Sequence, residues 1–246
     1  MKTAVITGAS SGLGVELLRA AVELCPDIDT FWLIARRRER LEALAAQFPG
    51  KTLRPVPLDL TDPSAVRTLE RLLEKEKPAL SLLINNAGFG RLCDFPESEP
   101  GDQTGMIDLN CRALTAVTRC CLPYMTAGSL ILNISSIASF APTPRMTVYC
   151  STKAYVQSFS RALREELRPR GINVLAAVPA RWTRNSCPSR AASTARAAPS
   201  TRCRTRTRQK WPERRFPPAC VGAASARWAR STNFTASLPT CCRNPY

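Results

Sequence analysis

The sequence predicts an α/β fold, a doubly wound parallel sheet with helices on both faces. Three observations predict it. Short apolar runs alternate with amphipathic or charged helical stretches from residue 3 to about residue 178. The runs are apolar nearly throughout, as befits strands buried on both faces. The first run ends in a glycine-rich turn that opens directly into a helix.

Taken in order, TAVIT (3–7) is a short buried strand, Gly8 to Gly14 the turn, and about 13–24 a helix. TFWLIA (30–35) is a second strand, followed by a charged helix over about 37–47. LRPVPL (53–58) is a third strand, whose two prolines confine it to special positions in a sheet. A helical period runs from Ser64 to Lys75, with Asp62 or Thr61 placed to cap it. ALSLLI (79–84) is a fourth strand, about 102–125 a helix, and SLILNIS (129–135) a fifth strand. A helix over about 147–168 and a sixth strand, INVLAAV (172–178), complete the alternation. Right-handed crossovers and a reversal of strand order place a ligand crevice at the carboxyl ends of the strands.

Charge divides the 246 residues in two. Residues 1–179 carry 21 Lys+Arg and 18 Asp+Glu, a net of +3, whereas 180–246 carry 14 Lys+Arg and a single acid, Glu213, a net of +13. Residues 1–179 therefore read as one domain and 180–246 as a basic tail for which disorder is expected. The absence of histidine excludes Ser-His-Asp and Cys-His catalysis and any His-ligated metal. The eleven cysteines form no CxxC pair, so no metal site is expected. Free thiols and the lack of a signal peptide predict a cytoplasmic protein. No apolar run approaches the roughly 20 residues of a membrane span.

The turn reads TGASSGLG, with Gly8, Gly12 and Gly14 between a strand and a helix. Glycines allow a tight turn and close approach of backbone to a pyrophosphate, and the helix that follows offers unpaired N–H groups. A dinucleotide is the ligand this context favours over a purely structural turn. Four further features lie downstream in order: Asn110 in DLN follows NNAG (85–88), Ser136 precedes Tyr149 by 13 residues, and Lys153 lies four residues after Tyr149 in YCSTK. Over residues 1–179 this set resembles the short-chain dehydrogenase/reductase family. The resemblance implies a Rossmann-like sheet and an oxidoreductase that moves a hydride between a nicotinamide and a carbonyl or secondary alcohol. It also implies a cofactor site formed by Gly8, Ser10, Ser11, Gly12, Leu13, Gly14, Asp59, Leu60, Asn86, Ala87, Gly88, Tyr149, Lys153 and Pro179. A homodimer or homotetramer paired through the two long helices is a further implication.

The end of the second strand indicates which nicotinamide cofactor is used. Ala35 stands where an acidic residue would hold the ribose 2′-hydroxyl of NAD, and Arg36 follows. A guanidinium fork suits a 2′-phosphate, so NADP is expected over NAD, with Arg37 as a second contact. Arg38 and Arg40 read as a solvated helix start.

Tyr149 and Lys153, four apart, share one helix face. Tyrosine ordinarily titrates near 10, so a tyrosine trading protons near neutrality needs a cation beside it. The resemblance assigns Tyr149 as general acid/base and Lys153 as its partner and ribose anchor. Ser136 would hold the substrate oxygen, with Ser135 structural, and Asn110 would position a relay water.

After the sixth strand the resemblance stops. Pro179 is followed by Ala180 where the family has glycine, Thr183 falls one place early, and a seventh strand is missing. Reading the codons one base out of register explains the change. Trp182 has the single codon TGG and Thr183 begins AC, so their junction reads GAC, aspartate, whatever the other codons are. Residues 180–246 thus read as a frameshifted product, and low activity is expected of this chain. A dinucleotide-binding protein without turnover is the second reading. Non-specific nucleic-acid binding by the basic tail is the third, weakened by the lack of any recognition motif.

Overall fold

The computed structural model describes residues 1–179. The apolar runs form strands β1 (Lys2–Thr7), β2 (Ile28–Ala35), β3 (Thr52–Pro57), β4 (Ala79–Asn85), β5 (Met125–Ile134) and β6 (Asn173–Ala177). All pair in parallel, in the order β3-β2-β1-β4-β5-β6. The helices are α1 (Leu13–Leu24), α2 (Arg38–Ala45), α3 (Pro63–Glu76), α4 (Pro100–Ile107), α5 (Leu114–Cys121) and α6 (Thr147–Leu167).

The strand period of two sorts the core onto the two faces of the sheet. Ala4, Ile6, Phe31 and Leu33 pack with Leu17 and Leu18 of α1 and Leu41 and Leu44 of α2. Val5, Trp32, Ile34 and Leu83 pack with Leu69 and Leu73 of α3, Val117 and Cys121 of α5, and Leu167 of α6. Asp62 caps α3 by accepting from the Ser64 N–H at 2.8 Å, with Pro63 in the first turn where its missing donor costs nothing.

Among the described residues β3 is an edge strand, which accounts for its prolines. The Leu58 N–H donates to the Ala35 carbonyl of β2 at 3.1 Å, so by alternation the even-numbered residues of this strand point their nitrogens inward. The nitrogens of Pro55 and Pro57 therefore face away from the sheet, where no donor is needed.

The helix expected over 102–125 is not continuous. α4 gives way to a widened π-helical turn, Asp108–Ala113, before α5 resumes. A turn containing Pro123 ends the helix and β5 begins at Met125, earlier than its apolar run suggested. The wide turn carries Asn110 into the interior, 1% exposed, where its amide is bonded to the loop after β4.

A buried polar chain ties this helix to α6 along one face of the sheet. Asn85 Nδ2 donates to Thr118 Oγ1 and to Asn133 Oδ1, both at 2.8 Å, and Asn133 Nδ2 donates to Ser160 Oγ at 2.9 Å. No helix among the described residues is long and apolar enough to cross a membrane. The expected tail and the missing seventh strand fall on residues 180–246, outside the described residues.

Candidate active site

The chain runs outward from β1 to β3 and then returns to place β4 beside β1. This is the switch point at which open α/β sheets bind ligands. The turns after β1 and β4 are fastened to each other there. Thr7 Oγ1 accepts from the N–H groups of Asn86 and Ala87, both at 3.0 Å. Asn86 Nδ2 donates to the carbonyls of Thr7 and Gly8, both at 3.1 Å. Gly8 adopts φ +67°, and a Cβ on it would lie 2.9 Å from Ala87 Cα. Gly12, at φ +57°, turns the chain into α1.

A groove of about 400 Å³ opens along this seam. Of the residues expected to hold a cofactor, Gly8, Ser10, Ser11, Arg36, Asp59, Leu60, Asn86, Ala87 and Gly88 line it. Gly12, Leu13, Gly14, Tyr149, Lys153 and Pro179 are not among the lining residues. Leu13 instead packs into the core with Leu17, and Gly14 sits against the turn itself. Asp59 Oδ1 is engaged locally, accepting from the N–H of Thr61 at 3.0 Å and its hydroxyl at 2.7 Å. Ala35 and Arg37 also line the groove, as do Thr61, Phe89, Arg91 and Asp102, which the sequence did not mark as cofactor contacts. Arg91 and Asp102 form an ion pair at this wall.

The hydroxyls of Ser10 and Ser11, the glycine backbone and the guanidinium groups make a donor set suited to an anionic dinucleotide. Gly8 and Gly14 leave no room for side chains within the turn that presents them.

Beside the groove, α6 brings Tyr149 and Lys153 together. Lys153 is buried, its Nζ donating to the Ile134 carbonyl at 2.8 Å and lying 5.8 Å from the centre of the Tyr149 ring. Burial pulls its pKa down to about 8, partly opposed by Cys111. A hydroxyl that can give or take a proton, next to a buried cation, is equipment for acid–base chemistry.

The loop after β4 is pressed between these groups. Asn110 grips Phe89 at both ends of its peptide, Oδ1 accepting from the N–H at 3.0 Å and Nδ2 donating to the carbonyl at 2.9 Å. A Cβ on Gly88 would lie 2.8 Å from Asn110 Oδ1, and one on Gly90 only 2.6 Å from Cδ2 of Tyr149. The Asn110 side chain is thus committed to protein partners. Ser135 Oγ donates to the Lys153 carbonyl at 3.0 Å and so fastens α6 to the end of β5. Ser136 is half-buried, its Oγ accepting from the Ala138 N–H at 3.2 Å in the turn that follows β5.

Comparison with known proteins agrees with this architecture. An uncharacterized oxidoreductase of Staphylococcus aureus is 31% identical over 181 residues, 72% of this chain and 77% of that protein. The very-long-chain 3-oxoacyl-CoA reductase of Phaeosphaeria nodorum is 33% identical over 182 residues, 70% of this chain and 52% of that protein. Among solved structures, a short-chain dehydrogenase from Sphingobium yanoikuyae in complex with NADPH superposes with a TM-score of 0.65 at 34% identity, covering 73% of this chain and 71% of that one. The family model described as short chain dehydrogenase matches residues 2–185. The protein belongs to the short chain dehydrogenase family of oxidoreductases.

Proposed function

We propose that the protein is an NADP-dependent reductase of carbonyl compounds, or dehydrogenase of the corresponding secondary alcohols, with Tyr149 as general acid/base. The observation that carries this reading is Lys153, buried one helical turn from Tyr149 and close to its ring, next to a loop that lines the groove. NADP, when bound, supplies or accepts the hydride. Tyr149 donates a proton to the substrate oxygen during reduction and recovers it during oxidation. Lys153 stabilises negative charge on the phenolic oxygen and anchors the nicotinamide ribose. Ser136 holds the substrate oxygen, and Asn110 fixes the loop beside Tyr149.

NADP rather than NAD is supported by Ala35, Arg36 and Arg37 on the groove wall, with no carboxylate at the end of β2. The NADPH complex of the Sphingobium relative supports the same choice. A cytoplasmic protein paired through α5 and α6 is part of the proposal. The exposed Tyr155, stacked on Phe159 with ring centres 5.9 Å apart, supports a contact there.

The test is oxidation of NADPH with a panel of small ketones, by the full chain, whose rate is expected to be low, and by the protein with its reading frame restored after Pro179. Tyr149→Phe is expected to lower kcat by about 10²–10⁴-fold while NADPH still binds, as read by its fluorescence. Turnover by Tyr149→Phe at the parent rate would overturn the reading.

A further inference from the structure

We propose that Thr152 is a positioning residue, which holds the loop after β4 against Tyr149 by coupling α6 to the Asn110 clamp. The inference rests on the acid/base reading of Tyr149 given above. Thr152 is 2% exposed, and its hydroxyl makes two bonds. It donates to the Tyr149 carbonyl at 2.8 Å and accepts from Asn110 Nδ2 at 3.0 Å. The same Nδ2 donates to the Phe89 carbonyl, and Asn110 Oδ1 accepts from the Phe89 N–H. One residue further along, Gly90 lies against the Tyr149 ring.

These contacts close a circuit: Tyr149 backbone, Thr152 hydroxyl, Asn110 amide, Phe89 backbone, Gly90, Tyr149 ring. Among the described residues, Thr152 alone bonds both the α6 backbone and Asn110 through its side chain. An amide gripping a backbone by both ends can still rock about its χ2 torsion, because that rotation is soft. The third bond, to Thr152, fixes the amide plane. Without it, the loop that both lines the groove and abuts the acid/base ring loses its fixed distance from α6. Misplacement of about 1 Å suffices for large losses of rate.

The test compares Thr152→Val, which keeps shape and removes the hydroxyl, with Thr152→Ser, which keeps the hydroxyl. Thr152→Ala serves as a second hydroxyl-free variant should the valine fail to fold. In Thr152→Val we expect kcat for ketone reduction with NADPH to fall about ten- to hundred-fold. KM and the affinity for NADPH are expected to stay near the parent values, and serine to restore most of the rate. Hydrogen exchange at the Phe89 amide, measured without cofactor or substrate, is expected to quicken at least about tenfold in the valine variant and not in the serine one. Unchanged Phe89 exchange and unchanged kcat in a folded hydroxyl-free variant overturn the proposal. Should Tyr149→Phe turn over normally, the acid/base reading falls, and Phe89 exchange still decides whether Thr152 holds the loop.

Discussion

Gly14 lies so close to Gly8 that a Cβ on it would sit 2.1 Å from the Gly8 carbonyl oxygen. The obstruction is backbone, which cannot swing aside as a side chain can. Gly14→Ala is therefore expected to open the turn, lowering stability by at least about 1–3 kcal/mol and abolishing measurable NADPH binding. Gly50→Ala, where nothing lies within 4 Å of the added carbon, is the control. Urea unfolding and NADPH fluorescence read both effects.

Thr7 offers a second handle on the same seam. Its hydroxyl satisfies two N–H groups, of Asn86 and Ala87. Thr7→Val preserves the shape and strands both donors, at an expected cost of about 1–3 kcal/mol. Thr7→Ser is expected to recover most of it. Equal unfolding midpoints for the valine and serine variants would show that the seam is held by other contacts.

Arg36 is expected to decide between cofactors. Loss of a charge-assisted bond to a 2′-phosphate is worth about 1.5–3 kcal/mol. Arg36→Ala should then weaken NADPH binding about ten- to hundred-fold and leave NADH binding nearly unchanged. Isothermal titration with each nucleotide separates the two.

Lys153 sets a pH dependence whose sign follows from its burial. Its pKa in the fold, about 8, lies below the ordinary 10.5. Between those values the unfolded chain keeps the proton and the folded chain gives it up, so this group makes stability rise with pH across that window. Below about pH 8 both states are charged and the full burial cost remains. NMR of ¹³Cε-labelled lysines should show one signal titrating well below the rest, absent in Lys153→Met. That variant should also lose the rise in stability.

The parallel sheet was legible because parallel strands are apolar throughout and stand out as runs. The family was legible because its motifs follow one another at fixed intervals. The break at Asp108–Ala113 was hidden, since a π-helical turn keeps the apolar spacing on either side and widens only the backbone. Thr7 opens the TGASSGLG stretch, yet nothing local shows that its hydroxyl satisfies two N–H groups of the turn after β4. Arg91 and Asp102 join the groove through a loop and a mutual ion pair, which no local pattern encodes. Leu13 was read with the glycines of the turn, and its side chain has a second place, in the core. Its i, i+4 relation to Leu17 assigns it to the core.

The edge prolines of β3 give the sheet a direction of growth. A strand arriving from another molecule at Pro55 and Pro57 finds two donors absent from the side it must pair with. With pairing at β3 disfavoured, edge-to-edge addition of sheets in an open-ended series is blocked at this margin.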